Sequence, residues 1–345
     1  MNKLLLIVDI PLKYPFTALI KGILIFFSGL KNGFTHILKN VNTGMNASIY
    51  SQIYYVHIDK YLIFVLYRIA VIQQKQIIFK AFSLSYQVFG EGAETVLCMH
   101  GHGRSKDDFL FLEGKGVRVI SLDLFFHGKS VIPDERIDKN PVVWKEIQPV
   151  FEALLDQENL QKIHILAFSQ GGRFALLLLQ HLPERILTFT LLAPDGLNNR
   201  SFYNWSSRQK IFRMLFHRWQ QKPEKLQKLA DISAKLKLMR PKVRDFVYHF
   251  SSDPDTMLRA SQTWMAFRKL QPDPVKIGQI VKKNQLPFRI IMGKYDQVIR
   301  PVQALLFLRN ASLPENIIEI ENGHDFFKPS SVEKFLPHLP FLKRL

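Results

Sequence analysis

The stretch ILAFSQGGRFALLLL, residues 165–179, joins an apolar segment to a leucine-rich segment through a short turn of small and polar residues. An apolar segment of strand length followed by one of helical length predicts a strand, a sharp turn and a helix. Ser169 lies at the turn, between Phe168 and Gln170. A serine at such a corner is either a nucleophile or a residue that caps the helix, because serine is a preferred N-cap. Residues elsewhere in the chain decide between these alternatives.

The alternation of short apolar segments and helical-length segments continues on both sides of this stretch. Helical-length segments such as PVVWKEIQPVFEALLDQENL (residues 141–160) lie between most of the apolar ones. This order predicts an α/β fold with a mostly parallel central sheet and helices on both faces. The six predicted strands are TVLCMH (95–100), VRVISLD (117–123), KIHILAF (162–168), ILTFTLLA (186–193), FRIIMG (288–293) and IIEIE (317–321).

Two more apolar segments precede the first of these strands. They are IIFKAF (77–82) and LSYQVF (84–89), with Ser83 at their junction. Parallel neighbours need a crossover of a dozen or more residues, and these segments are too close for one. We therefore predict an antiparallel hairpin at the edge of the sheet.

The 345-residue chain divides by pattern into an extension, a core and an insertion. Residues 1–75 form an apolar and basic N-terminal extension, and the regular pattern occupies residues 76–345. Residues 197–275 interrupt it with a helical pattern that contains 16 Lys and Arg but 6 Asp and Glu. We predict that this segment is a helical cap inserted between two strands, ILTFTLLA and FRIIMG.

The extension contains apolar runs that are too short to span a bilayer. The middle run, FTALIKGILIFFSGL, contains Lys21 and is shorter than the roughly 20 apolar residues that a spanning helix needs. The first run, LLLIV, is too short for a signal peptide and is followed by Asp9 and Pro11. Lysines beside aromatic residues suit a segment that lies on an anionic membrane. The alternatives are a poorly ordered extension, or residues upstream of a true start at Met45.

The net charge is +18, from 47 basic and 29 acidic residues, and it attracts polyanions such as nucleic acid or an anionic membrane. No nucleic-acid-binding signature accompanies the charge, so we expect no specific nucleic-acid partner. The single cysteine, Cys98, excludes an internal disulfide and metal sites built from several cysteines. Cys98 lies in an apolar run, where we expect it to pack in the core. A cytoplasmic location, with or without contact to a membrane, fits this composition.

Ser169, Asp296 and His324 each follow a predicted strand. A serine hydroxyl is a weak nucleophile that needs a base within hydrogen-bond reach. Histidine supplies that base, and a carboxylate fixes the tautomer of the histidine and stabilises its cation. The carboxyl ends of parallel strands meet at one edge of a sheet, so these residues can converge although they lie far apart in the chain.

These residues belong to motifs in which the chain resembles the α/β-hydrolase fold superfamily over roughly residues 76–345. AFSQGG is similar to the nucleophile elbow G-x-S-x-G, with Ala167 in place of the first glycine. The order Ser, Asp, His is the order of that family. The other similar motifs are MHGHGRS (99–105), DLFFHGKS (123–130) with Phe126 in place of a glycine, GKYDQVI (293–299) and NGHDF (322–326).

The resemblance implies a serine hydrolase that cleaves an ester or related acyl bond through an acyl-enzyme intermediate. It implies an oxyanion hole formed by the backbone N–H groups of His102 and Gln170. His100, Gly101 and Gly171 are expected to support these groups. The same motifs leave open a carbon–carbon bond hydrolase, a lyase-like synthase with the same triad, and a ligand-binding member of the fold without turnover.

Two residues carry alternatives within this scheme. Asp195 also follows a strand, and it competes with Asp296 as the acid of the triad. Arg173 follows SQGG directly, and SQGGR resembles menaquinone-pathway synthases that act on carboxylate substrates. Arg173 is therefore a candidate for pairing with a substrate anion, and the alternative is an arginine exposed on the helix surface.

We predict a small-molecule substrate with an apolar acyl or alkyl part, and no cofactor or metal. No two histidines have the i, i+4 spacing of a helical metal site, and His127 and His164 are expected to be structural. The cap segment contains apolar residues at partly helical spacing that either line a pocket or pack in the core. They are Phe202, Trp205, Phe212, Phe216, Trp264 and Phe267.

Overall fold

A computed structural model describes residues 2–9, 40–42, 49–58, 61–70, 72–137, 139–197, 209–239 and 241–342. Its contacts divide the chain into two units, residues 1–73 and residues 74–345. The apolar run FTALIKGILIFFSGL lies outside the described residues, as do Phe202 and Trp205. Among the described residues, no helix is long and apolar enough to cross a membrane.

The first unit contains a four-stranded sheet in the order β1-β4-β3-β2. Strand β1 is parallel to β4, whereas β3 is antiparallel to both β4 and β2. The strands are β1 (Asn2–Asp9), β2 (Asn40–Asn42), β3 (Ile49–Ile58) and β4 (Tyr61–Ala70).

The second unit is built on an eight-stranded sheet, and the predicted α/β fold is confirmed. Its strands are β5 (Gln73–Phe79), β6 (Phe82–Phe89), β7 (Thr95–Met99), β8 (Arg118–Leu122), β9 (Ile163–Phe168), β10 (Ile186–Leu192), β11 (Phe288–Gly293) and β12 (Ile318–Ile320). Their order is β12-β11-β10-β9-β7-β8-β6-β5. The six strands β12, β11, β10, β9, β7 and β8 are neighbours in that order, and every neighbouring pair among them is parallel. Strand β6 is antiparallel to β8. The carboxyl ends of β7 to β12 therefore share one edge of the sheet, which we call the carboxyl edge.

The edge hairpin is present, but its turn lies earlier than predicted. Lys80 and Ala81 form the turn between β5 and β6, and Lys80 has a left-handed φ of 53°. Ser83, the predicted junction, lies inside β6 and exchanges two backbone hydrogen bonds with Val131. The left-handed residue allows a two-residue turn, which leaves Ser83 to extend the strand.

Helices cover the sheet and fill the insertion. They are α1 (Trp144–Gln157), α2 (Gln170–His181), α3 (Lys210–Gln221), α4 (Pro223–Lys235), α5 (Pro241–Ser252), α6 (Pro254–Ala266), α7 (Pro274–Lys283), α8 (Pro301–Asn310) and α9 (Pro329–Phe335). Helix α1 buries one apolar face, as expected of a surface helix. Helix α2 is buried along its whole apolar run, so it is the central helix of this unit.

Helices α3 to α6 form the insertion between β10 and β11, and no strand interrupts its described part. Met257 and Ala260 of α6 are buried in a small core against Phe216, Trp264 and other apolar residues of the insertion. The Phe216 and Trp264 rings lie 5.2 Å apart, so this part of the predicted aromatic stripe packs within the insertion. Phe267 instead packs 5.1 Å from Phe174 of α2.

Candidate active site

Ser169 occupies the corner between β9 and α2 in a strained backbone conformation. Its φ of 46° and ψ of −117° lie in a region that residues other than glycine rarely adopt. Three backbone hydrogen bonds hold this conformation. The Ser169 N–H donates to Leu192 O at 3.0 Å, and Ser169 O accepts from the N–H groups of Gly172 at 2.9 Å and Asp195 at 2.7 Å.

The residues around Ser169 are small because neighbouring backbone lies very close. A Cβ on Gly171 would lie 2.3 Å from Met99 O, and one on Gly172 would lie 2.4 Å from the Pro194 Cβ. Ala167 is fully buried in β9, where it pairs with Met99 of β7 and with a residue of β10. A methyl group therefore fits at position 167, where the similar family motif has glycine, whereas positions 171 and 172 need glycine.

Ser169, His324 and Asp296 form a continuous chain of hydrogen bonds. Ser169 Oγ lies 3.1 Å from His324 Nε2, and His324 Nδ1 lies 2.7 Å from Asp296 Oδ2. Asp296 is buried, and its second oxygen accepts from the N–H groups of Val298 at 2.8 Å and Ile299 at 2.9 Å. A carboxylate beside Nδ1 favours the tautomer with its proton there, which leaves Nε2 able to accept from the serine hydroxyl.

The three candidate residues come together because each follows a strand that ends at the carboxyl edge. Ser169 follows β9, Asp296 follows β11 and His324 follows β12. The Phe168 ring packs 5.1 Å from the His324 ring. This contact and the Asp296 carboxylate fix the imidazole toward Ser169.

Asp195 lies at the same edge, but its carboxylate has a different partner. The Arg173 guanidinium donates from Nε and Nη2 to the two Asp195 oxygens, at 2.9 and 3.0 Å. Arg173 also donates to Leu270 O at 3.0 Å, and it is only 1% exposed. The expectation of an exposed surface arginine is therefore wrong. The Arg173 guanidinium, the candidate for pairing with a substrate anion, binds a carboxylate of the protein itself. The sequence alone does not reveal this pairing.

The two residues predicted to supply oxyanion donors, His102 and Gln170, belong to chain segments that adjoin Ser169. A Cβ on Gly101 would lie 3.1 Å from the Ser169 Cβ and 2.7 Å from the Phe168 ring, so glycine lets this loop approach the serine. His102 follows Gly101, and Gln170 is the first residue of α2. Within the described part of the chain, neither of their backbone N–H groups donates to a carbonyl.

His100 and His127 join the loop after β7 to the turn after β8. His100 Nδ1–H donates to Gly101 O at 2.7 Å, and its Nε2 accepts from Leu124 N–H at 3.0 Å. His127 Nδ1–H donates to Phe125 O at 3.1 Å, and its Nε2 accepts from Gly103 N–H at 3.0 Å. Burial lowers the pKa of His100 to about 4 and that of His127 to about 3, so both rings are neutral at pH 7.

The remaining histidine of the sheet has a structural environment. His164 lies in β9, and its two ring nitrogens are 2.9 Å from Thr188 Oγ1 and 2.8 Å from a Glu94 oxygen. Over the residues that the structure describes, no group of three or more His, Cys, Asp or Glu side chains is placed to hold a metal ion.

Comparison with known proteins gives both family and local similarity. The family model described as the alpha/beta hydrolase fold matches residues 94–329. The dihydrolipoyllysine-residue acetyltransferase component of the acetoin cleaving system of Pseudomonas putida is 31% identical over 115 residues, which are 32% of this chain and 30% of that protein. The 2-hydroxy-6-oxononadienedioate/2-hydroxy-6-oxononatrienedioate hydrolase 1 of Pseudomonas putida is 33% identical over 120 residues, 32% of this chain and 40% of that protein. The chain thus spans less than half of the length of these relatives.

Among solved structures, an alpha/beta hydrolase enzyme from a Medee basin deep-sea metagenome library superposes with a TM-score of 0.55. It is 14% identical, and the superposition covers 79% of this chain and 98% of that one. At this level of identity the likeness establishes the fold alone.

Proposed function

The chain belongs to the α/β-hydrolase family, and on that premise we propose that it is a serine hydrolase that cleaves an ester or related acyl bond. The observation that carries the proposal is the chain of hydrogen bonds from Ser169 through His324 to Asp296 at a strained strand-to-helix corner. Strain of this kind is retained at functional sites, and a helix cap does not need it. The three residues together make Ser169 a nucleophile with a positioned base.

In the proposed mechanism, Ser169 Oγ attacks the substrate carbonyl while His324 Nε2 takes the hydroxyl proton. Asp296 stabilises the imidazolium. The backbone N–H groups of His102 and Gln170 donate to the oxygen of the tetrahedral intermediate. His324 then protonates the leaving alcohol, and the acyl-enzyme forms.

The second half of the reaction repeats these steps with water. His324 Nε2 takes a proton from the water, whose oxygen attacks the acyl-enzyme carbonyl. The second tetrahedral intermediate expels Ser169 Oγ, which recovers its proton from His324. The products are the free acid and the unmodified enzyme.

A carbon–carbon bond hydrolase with the same triad is the second candidate. The local relative whose name describes a 2-hydroxy-6-oxononadienedioate hydrolase favours it, at 33% identity over 120 residues. Ester hydrolysis needs only the nucleophile, base, acid and oxyanion donors described above, so we propose it as the first candidate function. A ligand-binding protein without turnover would not need a base 3.1 Å from the serine.

Labelling with a fluorophosphonate probe and hydrolysis of short p-nitrophenyl esters test the proposal. We expect the wild-type protein to be labelled and to hydrolyse the esters, and Ser169→Ala to do neither. The matched control is Ser252→Ala, at the exposed end of α5, which should behave as the wild type. Full activity of Ser169→Ala would overturn the proposal, and labelling without ester turnover would favour the carbon–carbon alternative.

A further inference from the structure

The imidazole of His102 differs from those of its two histidine neighbours. Both of its ring nitrogens are inaccessible to solvent, and neither has a hydrogen-bond partner among the residues that the structure describes. His100 and His127 each use both of their nitrogens. A buried polar group without a partner is costly and rare in a folded protein, so it indicates a group that the described part of the chain does not supply.

The unpartnered imidazole lies next to the proposed nucleophile. His102 directly follows Gly101, the residue whose missing Cβ lets the loop approach Ser169. Its ring stands edge-on to that of His127, with the centroids 5.7 Å apart. The side-chain oxygen of Gln170, the residue after Ser169, is also buried without a partner. The residues on either side of the proposed nucleophile site, His102 and Gln170, thus each carry a buried polar atom without a partner in the described part of the chain.

Arg259 of helix α6 lies on the face of the insertion that packs against the rest of the second unit. Thr263, Ala266 and Phe267 follow it at the i+4, i+7 and i+8 positions of one helical face, and all three are buried. Ala266 O accepts from the Val142 N–H, which lies outside the insertion, at 2.8 Å. The Phe267 ring lies 5.7 Å from the ring of Phe126, the residue before His127. Arg259 therefore lies on the side of α6 that faces the rest of the second unit.

The charge of Arg259 acts on these histidines. After burial, the next causes that lower the pKa of His102 to about 4 are its electrostatic interactions with the His127 ring and with Arg259. Arg259 also contributes to the lowered pKa of His127. His102 is thus a neutral ring at pH 7, which keeps one N–H donor and does not repel the guanidinium.

Arg259 has no hydrogen bond or ion pair with the part of the chain that the structure describes. The Asp253 carboxylate interacts electrostatically with Arg259. Its oxygens, however, accept hydrogen bonds from the N–H groups of Asp255 and Thr256 at the start of α6. Arg173, by contrast, is bonded to Asp195. Arg259, which is partly buried, is therefore a cation that is available to a ligand.

We propose that Arg259 and the His102 imidazole form a binding site for a carboxylate carried by the substrate, beside Ser169. This inference rests on the proposed function and names its substrate class, acyl compounds with a second, anionic group. A guanidinium binds a carboxylate through two parallel N–H groups, and the imidazole N–H supplies a third donor. This proposed anion site is distinct from the candidate at Arg173, whose guanidinium binds Asp195.

The test compares two esters of equal carbon number, mono-4-nitrophenyl adipate and 4-nitrophenyl hexanoate, of which only the adipate carries a carboxylate. We expect the wild-type protein to favour the adipate in kcat/KM. Arg259→Gln should lower the adipate-to-hexanoate ratio at least 10-fold, mainly through KM, and Arg259→Lys should recover part of it. His102→Gln should lower the ratio as well.

The matched control is Lys228→Gln, which removes one exposed positive charge from α4. It should leave the ratio of the two esters unchanged. An Arg259→Gln ratio equal to that of the control would overturn the proposal.

Calorimetric binding of the adipate dianion to full-length Ser169→Ala separates this inference from the proposed function. We expect adipate to bind Ser169→Ala and to bind the Ser169→Ala, Arg259→Gln double variant at least 10-fold more weakly. Binding that is absent, or equal in the two proteins, would overturn the anion site whatever the serine does. Hydrolysis that persists in Ser169→Ala would overturn the mechanism and leave the binding result to stand by itself.

Discussion

At the scale of single residues, Asp195 and Asp296 show how the partner of a carboxylate decides its use. Both follow strands that end at the carboxyl edge. Asp296 is buried 2.7 Å from His324 Nδ1, whereas Asp195 neutralises the buried guanidinium of Arg173. A buried arginine that loses its carboxylate is left as an uncompensated charge, which is strongly destabilising. These contacts predict a structural use for Asp195 and, under the proposed function, a chemical one for Asp296.

Replacing each aspartate by asparagine separates these uses. Asp296→Asn should lower kcat for ester hydrolysis by roughly 10³- to 10⁴-fold, because the asparagine favours the wrong His324 tautomer. Asp195→Asn should lower the free energy of unfolding by about 3 kcal/mol while the folded protein keeps its activity. Ester kinetics and urea unfolding measure the two effects, with the exposed Asp245→Asn as control. Loss of activity in a folded Asp195→Asn protein, with Asp296→Asn active, would reverse the assignment.

The same residues show what sequence can and cannot predict about the site. Ser169, Asp296 and His324 were predictable because each follows a strand, and parallel strands end at one edge. The Arg173–Asp195 ion pair depends on how α2 packs against the loop after β10, which no spacing in the sequence specifies. That Arg259 has no partner among the described residues depends in the same way on the face that α6 presents to the rest of the unit.

At the scale of elements, the loop after β7 and the turn after β8 are joined by neutral histidines. His100 is fully buried, and its pKa is lowered from 6.5 to about 4, mainly by burial. The unfolded chain binds a proton on this ring below pH 6.5, but the folded chain does so only near pH 4. Unfolding therefore takes up a proton in this window, and the free energy of unfolding falls as the pH falls from 6.5 to 4.

This linkage predicts a pH-dependent stability. From pH 7 to pH 5, the His100 contribution should lower the free energy of unfolding of the wild type by about 2 kcal/mol. His100→Asn removes the ring, so its free energy of unfolding should fall by about 2 kcal/mol less over the same range. Urea unfolding at both pH values measures this, with the exposed His217→Asn as control. Equal falls in all three proteins would show that His100 is not the buried titrating group.

The elements also differ in how well the sequence predicted them. FRIIMG corresponds to β11 residue for residue, because it is a short apolar run between polar segments. The pattern predicts the junction of the hairpin at Ser83, but the left-handed Lys80 closes the turn earlier. The insertion was predicted as helical from its pattern. Its packing depends on contacts between helices, which the pattern does not specify. The sequence alone therefore does not decide whether Phe216 and Trp264 line a pocket or pack in a core, as they do in the structure.

At the scale of the whole molecule, the chain combines a net charge of +18 with apolar side chains that are exposed on the insertion. Leu229, Ile232 and Leu236 follow one another at i, i+3 and i+7 along α4 and its end, and they are 46%, 55% and 63% exposed. Lys225 and Lys228 are exposed on the same helix. Apolar side chains beside lysines match the acyl boundary and the headgroups of an anionic bilayer. We propose that the protein contacts anionic membranes and that this face of α4 makes the contact.

Flotation of the full-length protein with lipid vesicles tests this face. The protein should float with vesicles that contain 30% phosphatidylglycerol and not with pure phosphatidylcholine, and salt should weaken binding because it screens the lysines. Replacing Leu229, Ile232 and Leu236 together by serine should reduce the floated fraction at least 5-fold, since burial of their side chains is lost. The charge change Lys225→Glu with Lys228→Glu should do the same, whereas Lys282→Glu with Lys283→Glu on α7 should have a smaller effect. If the α4 variants float like the wild type, this face does not bind membranes, and residues 1–75 become the candidate segment.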